Sequence, residues 1–307
     1  MLKRTFVLVV GWMLARVNRS DKLRDLITWP IATRVLGRRY RSVVTLVNGL
    51  KLEVGMQDIL TRFLLFYGPF VPYPWEPQTT KLLEQRMKEK RCSLIAGSHI
   101  GYVALMAARA GEGKVVAFEP VDYLFEESQK NFSLNPGLSL VLERKALSNR
   151  TGEAEIYVED IRSSLVPYTA THKKHDRRQR TKTVSIDDYA RESGLNVDLI
   201  FLDVEGFELP VLRGCSEVVF KQSILPELIF EVSPKVLAAA ATREEDIYEF
   251  LRQYGYRVYI IEDNYKSVAI NKTLPDKVNL IPLDDPKAAG FRQGPYFNVY
   301  ATNEPYE

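Results

Sequence analysis

Cysteine is scarce in this chain: Cys92 and Cys215 are the only two among 307 residues. Two thiols cannot staple a disulfide scaffold, and no cysteine–histidine spacing of the zinc type surrounds them. A reducing compartment and no structural metal are the expectations, with a divalent ion at Asp203 and Glu205 not excluded by this count. Long apolar runs are also lacking. The longest, Phe6 to Ala15, has ten residues, well short of the ~20 that cross a bilayer as a helix. No internal repeat or low-complexity tract appears. What is present, 46% hydrophobic and 26% charged residues, excludes disorder as the main state, because that apolar fraction can offset chain entropy. At this length one α/β domain, alone or with an extension, is expected.

The net charge of +3 hides an asymmetry. Residues 1–90 carry 16 Lys+Arg against 7 Asp+Glu, whereas residues 91–307 carry 26 against 32. A basic front on an acidic body suits an anionic partner such as phospholipid, nucleic acid or a charged glycan, and equally a solvated helical face. Residues 2–27 read as one amphipathic helix, with Phe6, Val9, Val10, Met13, Leu14 and Val17 at helical spacing and Arg4, Arg16, Arg19 and Arg24 beside them. Such a helix packs on the fold or lies in a headgroup layer. Met13 and Ala15 make no small-x-small cleavage site, so a signal peptide is not expected. The location expected is cytoplasmic, with peripheral membrane contact through residues 2–27 as an extension of it; oligomeric state has no readable signal.

Asn48-Gly49 between two alternating segments predicts a hairpin with a type I′ turn. Asp58 is placed to cap a helix through Phe66. The stretch from Gly68 to Pro77 is too proline-rich for a helix or a central strand, and a helix follows to Lys90. From Cys92 onward, strands and helices alternate. Strands fit 93–96, 114–118, 138–143, 154–158, 199–202, 228–232, 256–261 and 296–301, and Thr242-Arg-Glu-Glu245 reads as a capping box. That alternation implies a mostly parallel sheet with helices on both faces. The domain division expected is a 1–90 extension (helix, hairpin, helices) and a 91–307 α/β domain.

Two loops carry the chemistry. Gly97-Ser98-His99-Ile100-Gly101 sits between a strand and its helix, where glycines let the backbone turn sharply toward a ligand. Glu119 ends the next strand, 22 residues after Gly97, where an acid can bind both hydroxyls of a ribose. The spacing Gly97-x-x-x-Gly101 lacks the third glycine of the dinucleotide fingerprint, so a pyrophosphate has no cradle. An adenosine cofactor without phosphate, S-adenosylmethionine, suits the loop better. Farther on, Asp203, Glu205 and Glu208 place three carboxylates within six residues after the apolar strand 198–202. Helix-dipole complementation accounts for Glu205 or Glu208 but poorly for Asp203.

In this order the motifs resemble the FkbM-type family of S-adenosylmethionine-dependent methyltransferases, over about Trp75 to Val232. Trp75-Glu76-Pro77 is similar to the family's Glu-Pro segment, and Gly97-Ser-His-Ile-Gly101-Tyr102 to its glycine loop. Val116-Ala-Phe-Glu119-Pro120, Lys145-Ala146-Leu147-Ser148, Ser163-Ser164-Leu165, Val184-Ser-Ile-Asp187-Asp188 and Ile200-Phe-Leu-Asp203-Val-Glu205-Gly206 follow in family order. The resemblance implies a class I methyltransferase (Rossmann-like) sheet of seven strands, the last antiparallel, and O-methylation of hydroxyls on sugars or natural products. It implies cofactor contacts at Glu76, Gly97, Ser98, His99, Gly101, Glu119, Ala146, Ser148 and Asp203. Two positions depart from the pattern: Ile95 stands where the family has aspartate, and His99 where it has asparagine.

Methyl transfer to a hydroxyl needs alignment and a base for the departing proton. Asp203 and Glu205 are the first candidates and His172 or His175 the second, in the basic run His172–Lys182 of 6 Lys+Arg in 11 residues. A small-molecule or glycan acceptor is expected. Nucleic acid is not, since the 16 tyrosines and 14 phenylalanines are spread along the chain rather than interleaved with basic residues. The competing reading is a catalytically impaired protein of the same fold that keeps a cofactor-binding or membrane-attached interaction role.

Overall fold

Strand pairing and packing divide the computed structural model, which describes residues 2–16, 24–158, 163–165, 177–263 and 276–304, into two units. The first comprises Met1–Leu82, Lys130–Gly137 and Asp263–Val278; the second comprises Leu83–Gln129, Leu138–Glu262 and Asn279–Glu307.

In the first unit, α1 is described over Leu2–Arg16. Val17 and residues 18–23 lie outside the described residues. Arg24–Thr28 is a π-helical turn that runs into α2 (Trp29–Leu36), with Pro30 in its first turn. The hairpin pairs β1 (Arg41–Thr45) with β2 (Lys51–Gly55). Its turn departs from type I′. Only Gly49 takes positive φ, +88°, and its N–H closes on the Leu46 carbonyl at 2.9 Å. Asn48 instead uses its side chain, accepting from Leu50 N at 3.2 Å. This is a type I turn finished by a left-handed glycine, in a three-residue loop. The helix α3 (Ile59–Tyr67) is capped as expected, with Thr61 N donating to Asp58 Oδ1 at 2.8 Å. Next comes α4 (Pro77–Met87), whose first turn donates Thr79 N to the Asp263 carboxylate at 2.8 Å.

The buried face of α1 is Val7, Gly11 and Leu14. A Cβ at Gly11 would overlap the Phe66 carbonyl oxygen, so the two helix backbones touch there. That close approach centres the buried face on a glycine rather than on the larger side chains. Val9 and Met13, members of the expected inward stripe, therefore face outward.

The second unit holds an eight-stranded sheet in the order β12-β11-β13-β10-β9-β3-β4-β5. Its first half runs β3 (Cys92–Ala96), α5 (Tyr102–Ala110), β4 (Lys114–Phe118), α6 (Asp122–Ser133) and β5 (Leu140–Glu143). A separate three-stranded sheet follows, made of β6 (Ala146–Ser148), β7 (Gly152–Tyr157) and β8 (Arg178–Ser185). The chain returns through α7 (Ile186–Ser193), β9 (Leu199–Leu202), α8 (Glu208–Arg213), β10 (Glu227–Val232), α9 (Pro234–Ala239) and α10 (Glu244–Arg252). It closes with β11 (Arg257–Ile261), β12 (Leu280–Pro282), α11 (Ala288–Arg292) and β13 (Phe297–Thr302).

Strands β10, β9, β3, β4 and β5 are parallel, and β13 is antiparallel between β10 and β11. Seven of the eight strands match the class I methyltransferase arrangement; β12 adds an antiparallel edge. Strands β3 and β9 are buried along their whole length, which is why they read as continuous apolar runs and not as alternation. The strand order departs in opposite directions from β3, toward β4 and toward β9. Right-handed crossovers from such a point cover both faces with helices and open a crevice at the carboxyl ends of β3 and β9. At the other end of β10, Glu227 accepts from Arg86 Nε at 2.6 Å and Lys90 Nζ at 2.7 Å. The expected capping box at Thr242 is displaced by one residue: α10 starts at Glu244, and Arg243 N donates to Asp246 Oδ2 at 2.8 Å.

Candidate active site

The crevice forms where three strands end. Past Ala96 the backbone turns at Gly97, with φ +75°, and enters α5 at Gly101, with φ +89°. A Cβ on Gly97 would overlap the Asp203 carbonyl oxygen, while Asp203 N donates to Ala96 O at 3.1 Å. The first glycine is thus required by the close approach of two strand ends. Gly97 N and Ser98 N both donate to Phe118 O at 3.1 Å, tying the bend to β4. Between them His99 is held at φ +51°, and Ser128 Oγ donates to its carbonyl at 2.8 Å.

Glu119 is buried beneath this bend. Its Oε2 accepts from His99 N at 2.7 Å and its Oε1 from Val121 N at 2.9 Å. Burial pushes its carboxyl up to about 8 against the two amides, with the Asp203 charge raising it further. With one lone pair on each oxygen taken by an amide, the carboxyl keeps further hydrogen-bonding capacity, which suits a vicinal diol. The electrostatic coupling to Asp203 also places the two acids at one edge.

The acidic bend itself has Glu205 at φ +49° and Gly206 at φ +87°. Ser164 Oγ donates to the Glu205 carbonyl at 2.6 Å, bringing the 163–165 segment to it. Glu208 is fully buried; Gly206 N donates to its Oε1 at 3.0 Å, and burial pushes its carboxyl up to about 7. Asp203, Glu205 and Glu231 each offer a carboxylate oxygen within 4.8 Å of the others. This spacing is suited to one divalent cation, or to a cationic centre on a bound molecule.

Glu231 was not among the sequence candidates, though its signal was legible: a charged residue inside the apolar strand Glu227-Leu-Ile-Phe-Glu231-Val232. The structure brings Gly97, Ser98, His99, Gly101, Glu119, Asp203 and Glu205 to one edge. Ala146 and Ser148 are buried in β6, which begins three residues after β5, whose Glu143 carbonyl accepts from Glu119 N at 3.1 Å. Glu76 belongs to the first unit, at φ +42°, its carbonyl accepting from Thr80 N. His172 and His175 lie outside the described residues. Ile95 is fully buried, in register with Ala117 and Phe201. Asp187 is a structural acid, accepting from Glu217, Val218 and Val219 amides at 2.7–3.0 Å. A cavity of about 830 Å³ lined by Lys88, Arg91, Arg109 and Lys114 opens at the amino ends of β3 and β4, the edge opposite the crevice.

Residues 96–258, just over half of the chain, match the methyltransferase FkbM domain. The chain belongs to that family. Membership carries the class I methyltransferase fold, here read strand by strand, and S-adenosylmethionine as cofactor. The Trp75–Pro77 segment precedes the matched residues of this FkbM-type methyltransferase. Among solved structures the chain is similar to an S-adenosylmethionine-dependent O-methyltransferase from Thermotoga maritima, with 13% identity, 87% of this chain and 78% of that one covered, and a TM-score of 0.42. It is also similar to an S-adenosylmethionine-dependent methyltransferase from Agrobacterium tumefaciens (11% identity, 88% and 71% covered, TM-score 0.44). An rRNA methylase from Streptococcus thermophilus gives 8% identity, 73% and 93% covered, and a TM-score of 0.40. No curated protein matches the chain. Among the described residues, no helix is long and apolar enough to cross a membrane.

Proposed function

We propose that this FkbM-type methyltransferase methylates a hydroxyl of a sugar, glycan or natural product, using the carboxyl edge of β3, β4 and β9. The observation that carries the reading is the convergence there of two kinds of acid. Glu119 is sequestered and held by two backbone amides, which suits a ribose. Asp203, Glu205 and Glu231 are half-buried and grouped, which suits a positive centre and a departing proton.

When bound, S-adenosylmethionine supplies a methyl carbon carried on a cationic sulfur. The donor set fits it: a diol partner at Glu119, a close backbone bend at Gly97–Gly101, and negative charge at the acidic bend. Ser98 and His99 line the bend, and Ala146 and Ser148 follow the strand beside Glu119. The chain's own work is alignment and proton transfer. As the acceptor oxygen is alkylated, its O–H bond breaks and Asp203 or Glu205 takes the proton. Glu231 and the second member of that pair hold the acceptor's orientation by accepting its neighbouring hydroxyls.

The test is methyl transfer from labelled S-adenosylmethionine to a mixed metabolite and glycan extract, with cofactor binding measured by calorimetry. Asp203→Asn or Glu205→Gln should abolish labelling while the cofactor still binds. Unchanged turnover in both variants rejects the base assignment, and label found in nucleic acid or protein instead rejects the acceptor class.

A further inference from the structure

In the first unit α1 and the helical run 24–36 are apolar on two sides. One side of each is core: Val7, Gly11 and Leu14 on α1, and Trp29, Ala32 and Leu36 on α2. The other side faces solvent. Val9, Trp12 and Met13 sit three and four residues apart on α1, and Ile27, Ile31 and Val35 recur every four residues along the second run. All six are between 45 and 52% exposed, where water-facing helices normally carry charge.

The rim of these stripes has one sign. Residues 1–52 contain 11 Lys+Arg and 2 Asp+Glu. Arg4, Arg34, Arg38 and Arg39 are exposed, and none has a carboxylate partner among the described residues. Lys3 donates to the Leu36 carbonyl at 2.9 Å, bringing the start of α1 to the end of α2. The Arg16 guanidinium lies 5.5 Å from the Trp12 ring, an apolar body and cationic tip of the kind that settles at a lipid headgroup boundary.

We propose that these outward faces are a docking surface for an anionic phospholipid bilayer, with α1 and the 24–36 run lying along it and their arginines among the phosphates. Charge complementarity selects this occupant. A second copy of the chain would set one basic rim against another, whereas anionic lipid accepts both the cations and the apolar stripes. The fifteen described residues of α1 rise about 22 Å, short of the ~30 Å hydrocarbon core, which fits a helix lying along the surface.

The experiment is co-sedimentation of the full chain with vesicles of phosphatidylcholine alone, or of equal parts phosphatidylcholine and phosphatidylglycerol. Binding should require the anionic lipid and weaken with salt. Arg38→Gln and Arg39→Gln should each lower the partition coefficient about fivefold, and Val9→Glu or Ile31→Glu roughly tenfold, with cofactor binding and melting temperature unchanged. Tryptophan emission should be quenched by brominated lipid, and the quenching should be lost in Trp12→Phe. Failure to sediment with either vesicle, equal binding to both, or binding indifferent to Val9→Glu and Ile31→Glu overturns the proposal. So does a lipid-free dimer, seen by ultracentrifugation, that the same variants dissolve.

Discussion

The first unit leaves large apolar side chains in water, and the second puts carboxylic acids out of it. Of the fourteen exposed large apolar residues described, twelve lie in the first unit; only Tyr123 and Ile224 lie in the second. The second unit buries Glu119 and Glu208, each with its carboxyl raised. Folding alone favours neither arrangement. The difference lies in what offsets each. The buried acids are held by backbone amides at strand ends, so their cost is met inside the fold. Among the described residues of their unit nothing covers the exposed stripes, and their cost falls only when something apolar does.

The largest expected effect is at the bend that joins the two strand ends. Gly97→Ala combines a left-handed φ with a Cβ on the Asp203 carbonyl, and should cost about 3 kcal/mol or more. Denaturant unfolding would read the loss, and calorimetry would show cofactor binding gone with it. Next comes turnover. Asp203→Asn should slow methyl transfer by about 10²–10⁴ if it is the base, with an unfolding midpoint near that of the parent. Glu119→Ala should weaken cofactor binding by roughly tenfold or more through loss of a buried hydrogen-bonding partner.

The buried acids also set a pH dependence whose sign is opposite to that of a salt-bridged carboxylate. Between the ordinary value of 4.5 and the raised folded values of about 7 for Glu208 and about 8 for Glu119, the native state holds more protons than the unfolded one. Stability therefore falls as pH rises through that window and levels off above it. The melting temperature of the cofactor-free protein should decline from pH 5 to pH 8.5, marking the range to be scanned at roughly half-unit steps. Glu119→Gln and Glu208→Gln should each flatten the slope. A slope unchanged from the parent's in both variants means that neither acid is protonated in the fold.

How far the sequence reveals each region follows from the physics involved. The sheet was legible because buried parallel strands must be apolar along their length, and the bend at Gly97–Gly101 because two glycines mark a tight turn. Family order supplied the link between Glu119 and Asp203, which spacing alone cannot make across 84 residues. The hairpin was legible but not its turn type, since Asn48 can spend its side chain on Leu50 N instead of adopting positive φ. Glu231 escaped because one acid in an apolar strand gives no hint of which neighbouring strand end it will meet. The orientation of α1 escaped for a related reason. Hydrophobic periodicity weighs side chains by size, whereas the helix docks through Gly11, the residue with none.

The smallest expected effect bears most directly on the contrast between the units. If Val9 and Met13 are surplus to the fold, Val9→Ser and Met13→Gln should move unfolding free energy by less than about 0.5 kcal/mol, as ordinary surface changes do. Val7→Ala and Leu14→Ala, on the face packed against α3, should cost about 2–4 kcal/mol. Measured side by side in urea, the two pairs separate an apolar face that folds the unit from one that only meets solvent. Equal losses in both pairs would mean that the outward stripe is already covered within the folded chain, and the asymmetry between the units would disappear with it.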